Sequence, residues 1–122
     1  MSFRTVCAGC ARAFAVARLW PEVLSNALEP GWVPTKMGGP GAPDDMRKAP
    51  VTQAWLSVSD DKLAQSTGAY FYHQKLREPN AAAGDAKVQD ALLGICGRLS
   101  GCGLTSFISG PSSPAFQARP GA

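Results

Sequence analysis

Four cysteines, two tyrosines and a single histidine are the side chains here best able to do chemistry, and their spacing limits what each can do. Cys7-x-x-Cys10 and Cys96-x5-Cys102 stand near opposite ends of a 122-residue chain. Close thiol pairs are the raw material of a zinc site or a redox couple. The second pair has the wrong spacing for a zinc knuckle, and no strand leads into Cys7 as a thioredoxin-like motif requires. Cys96 has a plainer role on the apolar face of a helix. No convincing export signal precedes these thiols, so a reducing, cytoplasmic compartment is the expectation.

Tyr70 and Tyr72 sit in the aromatic run "STGAYFYH". A phenol is protonated near neutral pH unless something activates it, so both read as packing residues. His73 ends the same run with no acid or nucleophile placed by sequence to work with it, which is the pattern of a structural histidine. The acid pairs Asp44-Asp45 and Asp60-Asp61 could attract a cation, but adjacent aspartates in loops are usually solvated or capping. Of the tryptophans, Trp20 and Trp55 fall beside helix or strand faces and read as core. Trp32, in a turn, is kept as a substrate contact.

That turn lies in "NALEPGWVPTKMGGPGAP", Asn26 to Pro43, where a Pro-Gly pair follows an apolar run and precedes a loop rich in glycine and proline. Glycine permits close backbone approach and proline fixes the bend, so the pair is either a ligand wall or a corner. Read on local residues alone, the corner is the simpler account.

The elements that must hold this turn follow from periodicity and punctuation. Cys10 to Trp20 reads as a helix carrying Phe14, Val16 and Leu19 among alanines and stopped by Pro21. "VLSNALEP", Val23 to Pro30, reads as a short strand apolar enough to be covered on both faces. Thr35 to Ala49 shifts to Gly, Pro and charge, the signature of an exposed and mobile loop. Pro50 suits the first turn of a helix whose Val51, Ala54, Trp55 and Val58 share a face and which ends before Asp60-Asp61. Ser66 to His73 reads as a second strand and "REPNAAAGD" as a loop. Asp85 then caps a helix with Val88, Leu92, Ile95, Cys96 and Leu99 on one face, terminated by Gly101. From residue 102 onward, Ser, Pro and Gly dominate and a disordered tail is expected.

Composition removes several function classes. The chain is 45% hydrophobic and 17% charged, with a net charge of +3. Lys and Arg are scattered rather than clustered, so the electrostatic footprint of a nucleic-acid binder is missing. No apolar run reaches the roughly 18 residues that cross a bilayer, so no membrane span is expected. Low surface charge fits apolar area meant for covering. The predicted order is helix, strand, loop, helix, strand, helix: an α/β arrangement with two parallel strands and three helices. Two parallel strands make a poor sheet by themselves, which points to a partner chain or oligomer covering the exposed sheet edge.

In this order the residues resemble the C-terminal portion of the short-chain dehydrogenase/reductase family. "AFAVARLWPEVLSNALEPGWVPTKMGG" resembles the helix after the catalytic residues, the next strand and the family's Pro-Gly-x-x-x-Thr turn. "VTQAWLSVSDDKLAQSTGAYFYH" resembles the following helix and the last strand, introduced by Thr-Gly, and "DAKVQDALLGICGRLSG" a closing helix of some members. The likeness covers residues 13–101, leaving a divergent N-terminus, 1–12, and the tail, 102–122. It implies the end of a Rossmann-like, doubly wound parallel sheet.

The resemblance also gives the turn a task, as the wall beside the nicotinamide ring of NAD or NADP. It implies that Pro30 and Gly31 shape that wall, that the Val33 backbone bonds the carboxamide and that the Thr35 hydroxyl contacts the cofactor. Trp32 and Met37 are then substrate-side residues, with Met37 to Pro43 beginning the substrate loop. Two family features are not found in the 122 residues: the Gly-rich phosphate fingerprint and the Tyr-x-x-x-Lys pair that moves the proton. "GGPGAP", Gly38 to Pro43, leads into a loop and not a helix, so it is not that fingerprint. "MSFRTVCAGCAR", where the pair belongs, has neither Tyr nor Lys. The expectation is a segment of an NAD(P)-dependent oxidoreductase, inactive alone, with a non-catalytic interaction protein as the alternative. A chain unfolded by itself is the third reading, since its apolar area must offset roughly 1–2 kcal/mol of backbone entropy per residue.

Overall fold

The computed structural model describes residues 3–103, and the side chains of residues 9–103. The expected disordered tail lies outside the described residues, apart from Cys102 and Gly103. In order come α1 (Phe3–Leu19), β1 (Ala27–Glu29), a 3-10 turn (Met46–Lys48), α2 (Val51–Val58), β2 (Tyr70–Tyr72), β3 (Lys75–Leu76), a second 3-10 turn (Ala81–Gly84) and α3 (Ala86–Ser100). The class is α/β, as the sequence implies.

Helix α1 starts earlier than the expected Cys10, because nothing between Phe3 and Cys10 except Gly9 opposes an alanine-rich helix. It ends where Pro21 approaches, with the Trp20 amide donating to the Val16 carbonyl at 2.8 Å. Cys10, Ala11, Phe14 and Ala15 occupy one face and are buried, and Cys10, Ala11 and Phe14 cluster with Tyr70 and Ala83. Small side chains at 11 and 15 allow α1 to lie close to its neighbours.

Strands β1 and β2 pair in parallel, Ala27 opposite Tyr70, Leu28 opposite Phe71 and Glu29 opposite Tyr72. Side-chain bonds just before the strands secure this register. Asn26 donates through Nδ2 to the Ser66 carbonyl (2.7 Å) and accepts through Oδ1 from the Ala69 amide (2.9 Å). The Ser25 amide donates to Thr67 Oγ1 at 3.0 Å, and the Gly68 amide returns to the Ser25 carbonyl at 2.8 Å. Gly68 adopts φ of 70°, a left-handed conformation that suits glycine.

A third strand, β3, was not foreseen. It pairs antiparallel with β2, so the sheet order is β1-β2-β3 and the sheet is mixed. The hairpin turns at His73 and Gln74, both with positive φ (47° and 62°), the geometry of a type I′ turn. Asn-Gly is the usual signal for such a turn, and "HQ" hides it. Buried Thr52 of α2 accepts the Gln74 amide at 3.1 Å and braces the turn from below.

Adjacent β2 residues face opposite layers. Tyr70 packs on α1, whereas fully buried Phe71 meets Trp55 of α2 edge-to-face at 5.6 Å between ring centroids. Helices therefore cover both faces of the sheet. β1 itself is only half-buried along its length, against the expectation of full cover; among the described residues it has a strand neighbour on one side alone.

Neither α2 nor α3 buries the whole of its apolar face. In α2 the buried residue is Thr52, while Val51 and Val58 are exposed. In α3 the buried residue is Gln89, which donates through Nε2 to the Ala83 carbonyl (2.8 Å) and accepts from Arg18 Nε (3.0 Å). Leu92 packs on the core, but Val88, Ile95 and Leu99 face outward, Leu99 at 84% exposure. A buried glutamine with both ends satisfied can take the place of an aliphatic side chain. The ends of α3 are as expected: Asp85 accepts the Lys87 amide at 2.8 Å, and Gly101 closes the helix at φ of 69°.

Candidate functional site

Glu29 ends β1, and the chain turns at Pro30 and Gly31 outside the carboxyl ends of the two parallel strands, where open α/β sheets bind ligands. Gly31 has φ of 92°, disfavoured for any other residue. A Cβ built there would lie 2.7 Å from Asp44 Oδ2. The space glycine leaves is thus taken by a carboxylate of the same chain.

Asp44 organises the turn. Its Oδ2 accepts the Trp32 amide at 2.5 Å, and its own amide donates to the Trp32 carbonyl at 3.1 Å. Its Oδ1 accepts the Tyr72 hydroxyl at 3.4 Å, tying the turn to β2. Within the loop, the Thr35 hydroxyl accepts the Gly38 amide at 3.0 Å, the Thr35 amide donates to the Val33 carbonyl at 2.8 Å, and Trp32 Nε1 donates to the Gly38 carbonyl at 2.9 Å. A Cβ at Gly38 would lie 2.0 Å from the Val33 carbonyl oxygen, so only glycine closes this loop. The expected exposed loop from Thr35 is therefore tightly hydrogen-bonded in its first half.

Pro30, Gly31, Trp32, Val33 and Thr35 share this one turn. Trp32 offers an exposed ring face while its polar edge is held by Gly38, and Met37 projects outward at 98% exposure. The remaining acids divide by role. Asp45 caps the Met46–Lys48 turn by accepting the Arg47 amide at 2.9 Å, and Asp61 accepts the Leu63 amide at 3.1 Å. Asp44 differs from them in holding a distant segment, a role that its spacing does not announce.

A second set of polar side chains flanks the turn. Glu29 Oε2 accepts the Tyr70 hydroxyl at 3.0 Å and Arg77 Nη1 at 2.6 Å. Burial first, and then the hydrogen bond and charge of Glu29, push the Tyr70 phenol up to about 12. Tyr72 is also raised, by desolvation and by Asp44. The Arg77 guanidinium carbon stands 5.3 Å from the Tyr72 ring centroid, and the His73 ring lies 4.1 Å away on centroids. Both phenols hold their protons more tightly than free tyrosine. Sequence reading missed Glu29 and Arg77 because their partners are 41 and 48 residues away.

Cys10 is buried, Cys96 half-buried and Cys102 exposed, and among the described residues no three His, Cys, Asp or Glu side chains converge as a metal site needs. The Cys7 side chain lies outside the described residues. No described helix is long and apolar enough to cross a membrane. A groove of about 490 Å³ lies between α1 and α3, lined by Arg18, Leu93 and Gly97 among others, and shares no residue with the turn.

The chain is 36% identical over 93 residues to a short-chain dehydrogenase of Gibberella zeae, 75% of this chain and 36% of that protein. It is 34% identical over 96 residues to an uncharacterized oxidoreductase of Emericella nidulans, 75% of this chain and 37% of that protein. It is 31% identical over 93 residues to a short-chain dehydrogenase of Penicillium rubens, 75% of this chain and 36% of that protein. No family model matches the chain, and no solved structure matches it significantly. The chain spans little more than a third of the length of these relatives. The resemblance read from its motifs is thus shared with curated proteins named for the same family: over three quarters of its length, this chain matches the short-chain dehydrogenase/reductases, as a partial, segment-length counterpart of them.

Proposed function

We propose that residues 13–101 correspond to the carboxyl-side part of an NAD(P)-dependent short-chain oxidoreductase, with the turn from Pro30 to Thr35 as the wall on the nicotinamide side. The observation that carries this reading is the position of Gly31, at positive φ immediately beyond the carboxyl end of a strand paired in parallel with β2. In the parent reaction a hydride passes between the cofactor and a carbonyl or alcohol carbon. The residues of this chain supply orientation: the Val33 backbone toward the carboxamide, the Thr35 hydroxyl toward the cofactor, Trp32 and Met37 toward the substrate.

The proton-transferring pair is a different matter. No tyrosine in these 122 residues is followed at the family's spacing by lysine, and Tyr70 and Tyr72 hold their protons through burial and a nearby carboxylate. These residues by themselves are therefore proposed not to turn over substrate, and the sheet of which they form part would be completed in a larger, Rossmann-like assembly. A titration with nicotinamide mononucleotide, followed by amide NMR signals, tests the orienting role. Shifts concentrated at Val33 and Thr35 at millimolar ligand support it; shifts elsewhere, or none at those amides, count against it.

A non-catalytic role has its own support. Among the described residues half-buried β1 has one strand neighbour, and such an edge can accept a strand from another chain. On that reading the chain is an interaction protein, and a stoichiometric complex lost on changing Leu28 to proline is the expected result.

A further inference from the structure

We propose that Asp44 is the positioning residue of the Pro30–Thr35 turn, clamping Trp32 through two hydrogen bonds and anchoring the turn to β2 through Tyr72. What the turn is positioned for rests on the cofactor-side reading above. The clamp itself rests on geometry.

Three features converge on Asp44. First, Asp44 holds both polar groups of the Trp32 backbone, accepting from the amide at 2.5 Å and donating to the carbonyl at 3.1 Å. Paired contacts of this kind fix a peptide in both position and orientation, and the one to an ionised carboxylate is of the stronger class. Second, the carboxylate lies where a Gly31 side chain would be, with 2.7 Å between the built Cβ and Oδ2. Gly31 and Asp44 are therefore complementary, since the one makes room for the other. Third, Oδ1 faces Tyr72 at 3.4 Å, and β2 is held to α2 through buried Phe71 and Trp55. The turn is thereby tied to the buried part of the sheet.

The consequence reaches the residues that follow. Trp32 Nε1 binds the Gly38 carbonyl and Thr35 Oγ1 binds the Gly38 amide, so a displaced Trp32 releases the Gly38 peptide on one side. Val33 and Thr35 lie between the two fixed points. Asp44 acts on them through Trp32.

The test is residue-resolved amide hydrogen exchange on the full chain, comparing Asp44→Ala, Asp44→Asn and Tyr72→Phe with the parent. Asp44→Ala is expected to raise exchange at Trp32 about tenfold or more and to shift the Trp32 indole signal, while α3 amides keep their rates. Asp44→Asn retains an acceptor oxygen and should restore a substantial part of the protection. Tyr72→Phe removes only the strand anchor, so Trp32 should exchange a few-fold faster; this milder variant also carries the test if Asp44→Ala does not fold. Unchanged exchange at Trp32 in the folded variants overturns the proposal, as does an equal rise throughout α3, which would make Asp44 a support of the whole fold. A loosened turn in Asp44→Ala, combined with a parent chain whose Val33 and Thr35 amides ignore nicotinamide mononucleotide, upholds the clamp and removes the cofactor-side reading.

Discussion

Phe71 and Trp55 meet edge-to-face, 5.6 Å between centroids and 76° between planes, and this contact joins the sheet to α2. Phe71 is fully buried. Replacing it by alanine removes the ring and leaves a cavity, a loss of about 3–5 kcal/mol. In a chain of this size that is a large share of the total stability, so the urea midpoint should fall steeply. Leu99→Ala, at a position 84% exposed, is expected to change stability by less than about 0.5 kcal/mol on the same assay.

Gly31→Ala introduces a side chain at φ of 92° and against Asp44. We expect a stability loss of about 1–3 kcal/mol by chemical denaturation. Gly39→Ala serves as the comparison, since its φ is also positive (76°) but nothing lies within 4 Å of its Cβ. The difference between the two measures the clash with Asp44 apart from backbone strain.

The hairpin offers the opposite sign. Gln74 is exposed and holds φ of 62°, an arrangement that costs any residue with a Cβ. Gln74→Gly should raise stability by about 0.5–1 kcal/mol, because it keeps the amide that donates to Thr52 and removes the steric penalty. A thermal melt moving to higher temperature is the expected readout.

Alkaline stability follows from Tyr70. Its folded phenol is pushed from 10.0 to about 12, first by burial and then by Glu29, so the folded state keeps a proton that the unfolded state releases. The associated stability is present below pH 10.0 and is lost as pH rises toward about 12. Urea midpoints should fall across that window. In Tyr70→Phe the fall should be smaller, with the remaining slope due in part to Tyr72, which is raised in the same direction.

Local signals carried much of the fold into the sequence. Asp85 and Gly101 bound α3 because a side-chain cap and a left-handed glycine are encoded at single positions. Which residues a helix buries was harder to read: periodicity put Val88, Leu92, Ile95, Cys96 and Leu99 on one face, but the Arg18–Gln89 bond and the Arg18–Asp90 ion pair, spanning 71 and 72 residues, hold the Gln89 side of α3 against α1. Strand β3 was hidden because His73-Gln74 lacks turn chemistry. The turn at Pro30-Gly31 was legible from its residue types. Asp44 was not, since its partners Trp32 and Tyr72 come together only when loop and sheet close. Exposed Val88, Ile95 and Leu99 leave an apolar stripe on α3.

The most direct test of the central claim, that these residues form the nicotinamide-side wall without a phosphate cradle or proton-transferring pair, is calorimetric titration of the full chain with NADH and with NADPH, beside a circular dichroism spectrum of the same sample. The account predicts a folded chain with no micromolar binding of either dinucleotide. Micromolar binding would contradict it, because a pyrophosphate site would then have to exist within these residues.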